Sequence, residues 1–525
     1  MLIDGDQLIE KQLTIKTTTE VVFPDGRKTV LTPVSYTPVP DGSFLSLNGA
    51  WQVKRWPFGQ SEKTLVSPEL DDRRWETVEQ PGKVFYADPE AHRQVIPNWN
   101  RVTQTHIPDR DGAIIRRRVY CPKEWTGKRI YLRFDAIYPA GEVYVNGEKV
   151  GGHWSGLTPV EFDVTDKVVP GTEVLIAVRL WRKHRFHKMD MVRHAVEFCG
   201  LAQPAYLFAT EPVQLSGYHL ASRLGENLNS GEVTGTVTVC SYAGPGQGRV
   251  ELTLLDPLGK QVGKISCPFK ISARTSLTLP LSLPVGKPLL WNDEQPHLYT
   301  AGLKLLVKNQ PEQRFTYRTG FRRLELSPAG PRLNGHFIKF RGVNHLTYHP
   351  EGGMYTPREW LRRNLSLMKK ANVNAIRTHF LGPACLAELC DELGIYLLQE
   401  LPIDWGTDYI HDPEWVGPAL MRIQGGILRD RHHVSVMVWS VGNENLPLNA
   451  SVAEDGWNHL RIFNRFCKRL DPERPTMFPP PGPANKIKAI FEVRVGDIAD
   501  THYNFSLVKE MHRTGRIANP RSWEG

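Results

Sequence analysis

Over the first part of the chain, apolar and polar positions alternate with a period of two. In RIYLRFDA, Ile130, Leu132 and Phe134 alternate with other residues, which is typical of a strand with one buried face. In EVYVNGEKV, an Asn-Gly pair (146–147) separates two short runs, and this pair between alternating runs is a strong signal for a β-hairpin. Residues 1–215 are therefore predicted to form an antiparallel β domain, with a sandwich as the expected arrangement.

A second stretch, residues 216–328, repeats this alternation on a smaller scale. TVTVCSY and RVELTLLDPLGKQV alternate again, and Val250, Leu252 and Leu254 share one face. Short strands at close spacing over about a hundred residues are typical of an immunoglobulin-like sandwich. We therefore predict a second β domain here.

From residue 329 the pattern changes to strands that alternate with helices. TPREWLRRNLSLMKKAN has an apolar stripe at helical spacing, and Thr356 with Glu359 forms a predicted capping box at its start. A second predicted capping box, Ser451 with Glu454, opens a helix whose apolar stripe is Trp457, Leu460, Phe463, Cys467 and Leu470. Alternating strands and helices predict parallel βα units.

Two architectures fit this alternation, a doubly wound sheet and a (β/α)8 barrel. No GxGxxG follows the first strand, so the dinucleotide-binding doubly wound sheet loses support. Polar side chains follow five predicted strands at their carboxyl ends. Barrel enzymes carry their active sites at the rim that these strand ends form. These residues are His345 after the first strand, Arg377 and His379 after the second, Glu400 after the third, Asn443 and Glu444 after the fourth, and His502 and Tyr503 after the sixth.

Composition narrows the class of protein further. Net charge is +9, but basic and acidic residues are mixed and no nucleic-acid-binding motif accompanies them, so we predict no nucleic-acid partner. No apolar run approaches the roughly 20 residues of a membrane span. The N-terminal segment MLIDGDQLIEKQLTIKTTTE does not resemble a signal peptide, which favours a cytoplasmic location and leaves a periplasmic or secreted one open. The seven scattered cysteines are predicted to be reduced thiols.

Several segments, taken in order, resemble glycoside hydrolase family 2, the family of β-galactosidases, β-glucuronidases and β-mannosidases. The segments similar to its jelly-roll sugar-binding and immunoglobulin-like domains are LNGAW (47–51), YVNGEKVGGHWSGLTPVEFDVTD (144–166) and LWNDEQPHLY (290–299). Those similar to the run into its barrel are LNGHFIKFRGVNHLTYHP (333–350), NAIRTH (374–379), LGIYLLQE (393–400) and RDRHHVSVMVWSVGNE (429–444). The resemblance implies a jelly-roll β-sandwich over 1–215, an immunoglobulin-like β-sandwich over 216–328 and a partial (β/α)8 TIM-type barrel over 329–525.

The resemblance also implies a retaining exo-β-glycosidase, with a β-galactosidase-like substrate as the default. In such enzymes two carboxylates about 5 Å apart flank the scissile bond, one as acid/base and the other as nucleophile. By similarity, Glu444 would be the acid/base, Asn443 would bind the 2-hydroxyl of the sugar, and Tyr503 would orient the nucleophile. Arg377 would stabilise the charged floor of the pocket. His345, His379, Glu400 and His502 complete the predicted substrate-binding set.

The chain departs from the family pattern at several positions. Leu346 stands where the family often has a sugar-binding histidine, and Gly406 stands where a histidine would bind magnesium. Asp404 could serve as a magnesium ligand, but we predict no metal and no other cofactor. The nucleophile is expected after a seventh strand, and the only late candidate is Glu524, whose approach Asn-Pro-Arg-Ser-Trp is not a strand pattern.

Only about six barrel strands are visible before the sequence ends, which favours a fragment of a longer protein. The predicted partner is a carbohydrate substrate, while homo-oligomerisation is left open. The alternative function is a non-catalytic carbohydrate-binding fragment or a degenerate barrel that lacks the nucleophile.

Overall fold

The strands of the molecule form two successive β-sandwiches followed by a parallel βα unit. The computed structural model describes residues 19–22, 28–31, 35–55, 61–85, 112–182, 184, 186, 189–190, 198–327, 329–404, 409–445, 453–479 and 495–499. Within these ranges, none of the helices combines the length and the apolar content that a membrane span requires.

The first β domain packs a large sheet on a smaller one. The large sheet has the strand order β1-β2-β11-β10-β13-β7-β4-β5, the smaller sheet β12-β8-β15-β3, and a third, short sheet β6-β14-β9. A core that includes Trp51, Ile115, Leu132 and Val178 lies between the two main sheets. The elements are β1 Thr19–Val22, β2 Lys28–Leu31, β3 Phe44–Ser46, β4 Gly49–Arg55, α1 Glu62–Leu65, β5 Glu76–Gln80, β6 Gly82–Lys83, β7 Gly112–Tyr120, β8 Arg129–Phe134, β9 Ile137–Tyr138, β10 Ala140–Val145, β11 Glu148–His153, β12 Val160–Asp163, β13 Glu173–Trp181, β14 Gly200–Leu201 and β15 Ala205–Thr210.

The predicted Asn-Gly hairpin is present between β10 and β11, which pair antiparallel. Asn146 and Gly147 have φ values of 50° and 83°, as the two central residues of a type I′ turn require. Strand β8 differs from its prediction, because Tyr131 and Arg133 are buried as well as the apolar residues between them. Contacts that sequence alternation cannot reveal cover this second face: the Tyr131 hydroxyl accepts a hydrogen bond of 2.8 Å from Gln214 of the next domain.

The second domain is an immunoglobulin-like sandwich of two sheets, with orders β16-β17-β20 and β19-β18-β21-β22. Val250, Leu252 and Leu254 are fully buried in its core, which confirms the face predicted from their spacing. Its strands are β16 Val213–Leu224, β17 Ser230–Ser241, β18 Gly246–Leu255, β19 Gln261–Ile271, β20 Ser276–Gly286, β21 Tyr299–Val307 and β22 Gln313–Thr319.

A parallel six-stranded sheet follows, after a small antiparallel sheet of three strands. The six strands lie side by side in chain order; a doubly wound sheet would reverse direction at a switch point, so the arrangement is that of a barrel wall. Within the described ranges the wall is not closed. The elements are β23 Leu324–Ser327, β24 Gly330–Leu333, β25 His336–Phe337, β26 Gly342–His345, α2 Arg358–Lys370, β27 Ala375–Thr378, α3 Ala384–Leu393, β28 Tyr396–Glu400, α4 Val416–Asp430, β29 Val436–Ser440, α5 Ala453–Leu470, β30 Thr476–Phe478 and β31 Ile498–Ala499.

The first predicted capping box is wrong. Helix α2 has Pro357 at its N-cap with no side-chain capping bond, and the buried Thr356 hydroxyl finds no partner in the described residues. The helix begins one residue later than a threonine cap requires, so the Thr356 side chain lies outside the first turn. In α5 the predicted stripe is confirmed, since Trp457, Leu460, Phe463 and Cys467 are buried; Ser451 of the second capping box lies outside the described residues.

The barrel wall contacts both β domains through buried polar groups. On one side, Arg422 of α4 forms an ion pair with Asp190 of the first domain. On the other, the indole of Trp291 donates a hydrogen bond of 2.9 Å to the carbonyl of Asp391 in α3. These contacts fix the wall against both β domains.

Candidate functional site

The polar residues predicted at the strand ends come together around one guanidinium group. Arg377, in β27, donates from Nη2 to Asn443 Oδ1 at 2.8 Å and from Nε to Glu400 Oε2 at 3.0 Å. Its Nη1 donates to Asn344 Oδ1 at 3.2 Å. Arg377 thereby joins the ends of four neighbouring strands and fixes the spacing of the rim.

Glu444 lies at this rim, on a turn that directly follows the buried strand β29. All five residues of the strand are buried, and the chain then leaves the sheet through Gly442, with φ of 102°, and Glu444, with φ of 49°. A positive φ is uncommon for a residue with a side chain and is often found at functional sites. The Glu444 amide donates to the Pro479 carbonyl at 3.0 Å, and the half-buried residue is held at the end of the strand.

The side-chain amide of Asn443 is fixed from both ends. Its Oδ1 accepts from Arg377, and its Nδ2 donates to Asp404 Oδ1 at 2.9 Å. Its backbone amide donates to the Ile403 carbonyl at 2.9 Å. With both ends of the amide assigned, its orientation toward the rim is set before any ligand arrives.

Glu400, predicted to contact substrate, is fully buried beneath Arg377. Its Oε2 accepts from Arg377 and, at 2.9 Å, from the Ser440 hydroxyl, while Oε1 has no hydrogen-bond partner among the described residues. Burial raises the pKa of Glu400 to about 8 against the opposing effect of Arg377. This position supports the guanidinium from below and gives the carboxyl group no exposed surface for a ligand.

Two histidines lie at the ends of neighbouring strands. His345 is the last residue of β26 and is buried, which lowers the pKa of its imidazole. The Thr347 hydroxyl lies 3.4 Å from its Nδ1. His379 directly follows β27, is half-buried, and has its ring 4.6 Å from that of Phe380. Both are within the strand-end region, and their predicted contacts with a sugar stay predictions.

Other predicted site residues lie outside the described residues, namely His502, Tyr503 and the candidate nucleophile Glu524. Gly406, used in the metal prediction, is also outside them. Asp404 is described, and its carboxylate holds Asn443. Across the described part of the chain, no group of three or more histidine, cysteine, aspartate or glutamate side chains is arranged to hold a metal ion.

Comparisons with known families match most of the chain in three consecutive segments. The sugar binding domain of glycosyl hydrolases family 2 matches residues 45–195, a second domain of the same family matches 213–322, and its TIM barrel domain matches 331–515. The chain belongs to glycoside hydrolase family 2. Its order of domains is that of the family, and the six parallel strands form part of the family's barrel.

The curated relatives of this family 2 chain include β-galactosidases. One from Vibrio cholerae is 27% identical over 458 residues, and one from Priestia megaterium is 27% identical over 464 residues. These alignments cover 83% and 80% of the chain but 43% and 42% of the relatives. The chain therefore spans less than half the length of these two proteins.

Solved structures support the fold of the family 2 chain. A family 2 member from Bacteroides cellulosilyticus has a TM-score of 0.74 at 23% identity, covering 90% of this chain and 62% of that one. A β-glucuronidase from Bacteroides uniformis has a TM-score of 0.76 at 20% identity, covering 90% and 57%. At these identities the likeness establishes the architecture of the sandwiches and the barrel wall.

Sequence reasoning missed several residues that hold the family 2 site together. Ser440 and Asn344 received no role, although each ends or nearly ends a predicted strand and could have been found by the same rule. Met189 carried no local signal: its carbonyl accepts a hydrogen bond of 3.1 Å from the Asp404 amide. A segment of the first β domain therefore reaches the floor of the site, a contact that only the folded chain reveals.

Proposed function

We propose that this family 2 chain carries the acid/base half of a retaining exo-β-glycosidase that hydrolyses terminal β-linked sugars, with a β-galactoside as the first substrate to test. Glu444 is the proposed acid/base: it protonates the departing glycosidic oxygen and later removes a proton from the attacking water. The proposal rests mainly on the turn that brings Glu444 to the rim beside Asn443 and Arg377.

The fixed polar groups beside Glu444 suit this chemistry. The oriented amide of Asn443 supports binding of the sugar's 2-hydroxyl, a contact that strengthens as positive charge develops on the ring. Arg377, anchored by Glu400, keeps that amide in place without rearrangement during the reaction. The β-galactosidase relatives support the choice of first substrate.

The test measures hydrolysis of aryl β-galactosides, β-glucuronides and β-mannosides by the chain and its Glu444→Gln and Glu444→Ala variants. For poor leaving groups, which need protonation, we expect the variants to lose about 10²–10⁴-fold in kcat/KM. For strongly activated leaving groups the loss in the first step should be much smaller. Once the nucleophilic carboxylate that the family mechanism requires has displaced the leaving group, added azide should accelerate Glu444→Ala, because azide attacks the resulting glycosyl-enzyme without needing a general base.

Glu359→Gln is the matched control, since Glu359 is an exposed glutamate on α2. It should leave turnover unchanged. Equal activity of the Glu444→Gln variant and the parent on poor leaving groups would refute the assignment of Glu444.

The second candidate function is carbohydrate binding without hydrolysis. The oriented amide of Asn443, held between Arg377 and Asp404, favours sugar binding whether or not hydrolysis follows. The discriminating result is the absence of turnover of every glycoside, combined with saturable sugar binding that Asn443→Ala abolishes. Turnover that depends on Glu444 rejects this candidate.

A further inference from the structure

A cavity of about 660 Å³ lies where all three domains meet. The barrel contributes residues 428–433, which follow or end helix α4 and precede strand β29. In a βα unit the chain returns through the helix to the amino end of the next strand, so this cavity lies at the barrel face opposite the Glu444 rim. Tyr206 of the first domain, and Tyr218 and Tyr317 of the second, form the other walls.

The four carboxylates that line this three-domain cavity each have a cationic partner or a histidine. Glu388 and Glu392 pair with Arg358 on the neighbouring helix, Asp430 pairs with Arg429, and Asp391 contacts His433 at 2.6 Å. These acidic groups therefore bring no net negative charge that would repel an anion.

Two arginines in the wall, the exposed Arg318 and the half-buried Arg431, have no ion-pair partner among the described residues. Arg431 donates from Nη1 to the Leu470 carbonyl at 3.1 Å and from Nη2 to the Tyr218 carbonyl at 3.2 Å. Among the described residues, no carboxylate lies within ion-pair distance of its guanidinium. Backbone carbonyls accept from two of its five N–H groups, which leaves the others able to donate to a ligand.

Beside Arg431, two polar side chains lack hydrogen-bond partners among the described residues. The His432 ring packs 6.1 Å from Tyr218 and 6.3 Å from Tyr317, and burial, with adjacent His433 and Arg431, lowers its pKa well below the usual value. Tyr317 is 7% exposed, and its hydroxyl group has no partner. Buried polar groups normally find partners, so the buried Tyr317 hydroxyl, with the half-buried His432 ring beside it, offers hydrogen-bonding groups to a ligand.

We propose that the three-domain cavity binds a sugar-sized ligand bearing an oxyanion, a carboxylate or a phosphate on a hydroxylated ring. Arg431 supplies the charge for the oxyanion, His432 and the Tyr317 hydroxyl bond ring hydroxyls, and the tyrosine faces contact the apolar side of the ring. The volume lies within the range of small-molecule sites. This site is separate from the Glu444 rim, and the proposal does not depend on hydrolysis.

The test is isothermal titration of the full chain with glucuronic acid, galactose 6-phosphate and galactose. We expect one of the two anions to bind with 1:1 stoichiometry and galactose to bind this site much more weakly. Arg431→Gln should weaken anion binding by about ten- to a hundredfold, because it removes a charged hydrogen bond. Tyr317→Phe should weaken it by about two- to tenfold without lowering stability, since the lost hydroxyl has no partner in the folded chain.

Arg363→Gln, on the exposed face of α2, is the matched control for loss of one positive charge. It should leave the affinity unchanged, and so should Glu444→Gln, which alters the opposite face. The proposal is overturned if neither anion binds at millimolar concentration, if galactose binds as tightly, or if affinity responds to Glu444→Gln but not to Arg431→Gln. Because Tyr317→Phe retains the ring, a folded variant is available even if Arg431→Gln is unstable.

Discussion

Replacing Asp190 by asparagine should strongly destabilise the contact between the first β domain and the barrel wall. Asp190 and Arg422 have side chains that are 0% and 1% exposed. Arg422 Nε donates to Asp190 Oδ1 at 3.0 Å, and its Nη2 donates to Asp190 Oδ2 and to the Trp154 carbonyl at 2.6 Å. The substitution retains the shape of the side chain and removes the only carboxylate that the described structure offers to this guanidinium.

The expected cost follows from the charge that is left behind. Removing one partner of a buried ion pair costs about 3–5 kcal/mol, because the remaining ion is buried without an opposite charge. Replacing both partners, as in Asp190→Asn with Arg422→Met, should cost much less than the single change, since no charge stays buried. An exposed pair serves as reference: Glu148→Gln, which breaks a pair with Lys167, should cost at most about 1 kcal/mol.

Urea unfolding at pH 7, followed by tryptophan fluorescence, measures these costs. For a slope of about 3 kcal/mol/M, a loss of 3–5 kcal/mol lowers the midpoint by about 1–2 M. The double variant gives the coupling free energy between the two residues. A loss below about 1 kcal/mol for Asp190→Asn, or a double variant as unstable as the sum of the two single variants, would refute the reasoning.

Three further outcomes are expected from the site and its surroundings. Burial raises the pKa of Glu400 in the folded protein from its ordinary value of 4.5 to about 8, so between pH 4.5 and pH 8 the folded protein holds a proton that the unfolded chain has lost. Stability should therefore fall as pH rises from about 4.5 to about 8. Urea midpoints measured across this pH range should fall less in Glu400→Gln than in the parent. An equal fall in both proteins would contradict a raised pKa of Glu400. Gly442→Ala places a methyl group 2.6 Å from the Ile403 carbonyl and 2.5 Å from Asn445 Nδ2 at a φ of 102°, so both the unfolding midpoint and aryl glycoside turnover should drop, with about 1–3 kcal/mol lost. Thr356→Val should be neutral or slightly stabilising in thermal unfolding, because the hydroxyl has no partner in the described structure; a loss above about 1 kcal/mol would contradict this and show that the hydroxyl makes a stabilising hydrogen bond.

Features set by neighbouring residues could be predicted from the sequence. The Asn146-Gly147 turn needs only two residues that tolerate positive φ, and the stripe of α5 follows from helical spacing. The threonine cap of α2 failed by one position, because Pro357 has a non-helical ψ of 140° and the helix begins only at Arg358. Burial of both faces of β8 depended on another domain and left no local signal.

The candidate site was also predictable only in part. Its location at the strand ends was predictable because parallel strands present their carboxyl ends on one rim. The separate depths of Glu400 and Asn443 were not, because they depend on the register between strands: Glu400 lies level with Ser440, and Asn443 with Asp404. Glu400, which is buried beneath Arg377, and Glu444, which is half-buried at the rim, both follow a predicted strand and so look the same in the sequence.

The Met189 contact bears on how such proteins can be recombined. This residue belongs by sequence to the first β domain, yet it is fully buried in the same hydrophobic core as the barrel strands and helices. A chimera that joins the barrel of one relative to the β domain of another at the nearest linker would separate this core from the side chain that fills it. A chimera that folds well should therefore take residues 189–190 and the barrel from the same relative, although more than a hundred residues separate this segment from the barrel in the chain.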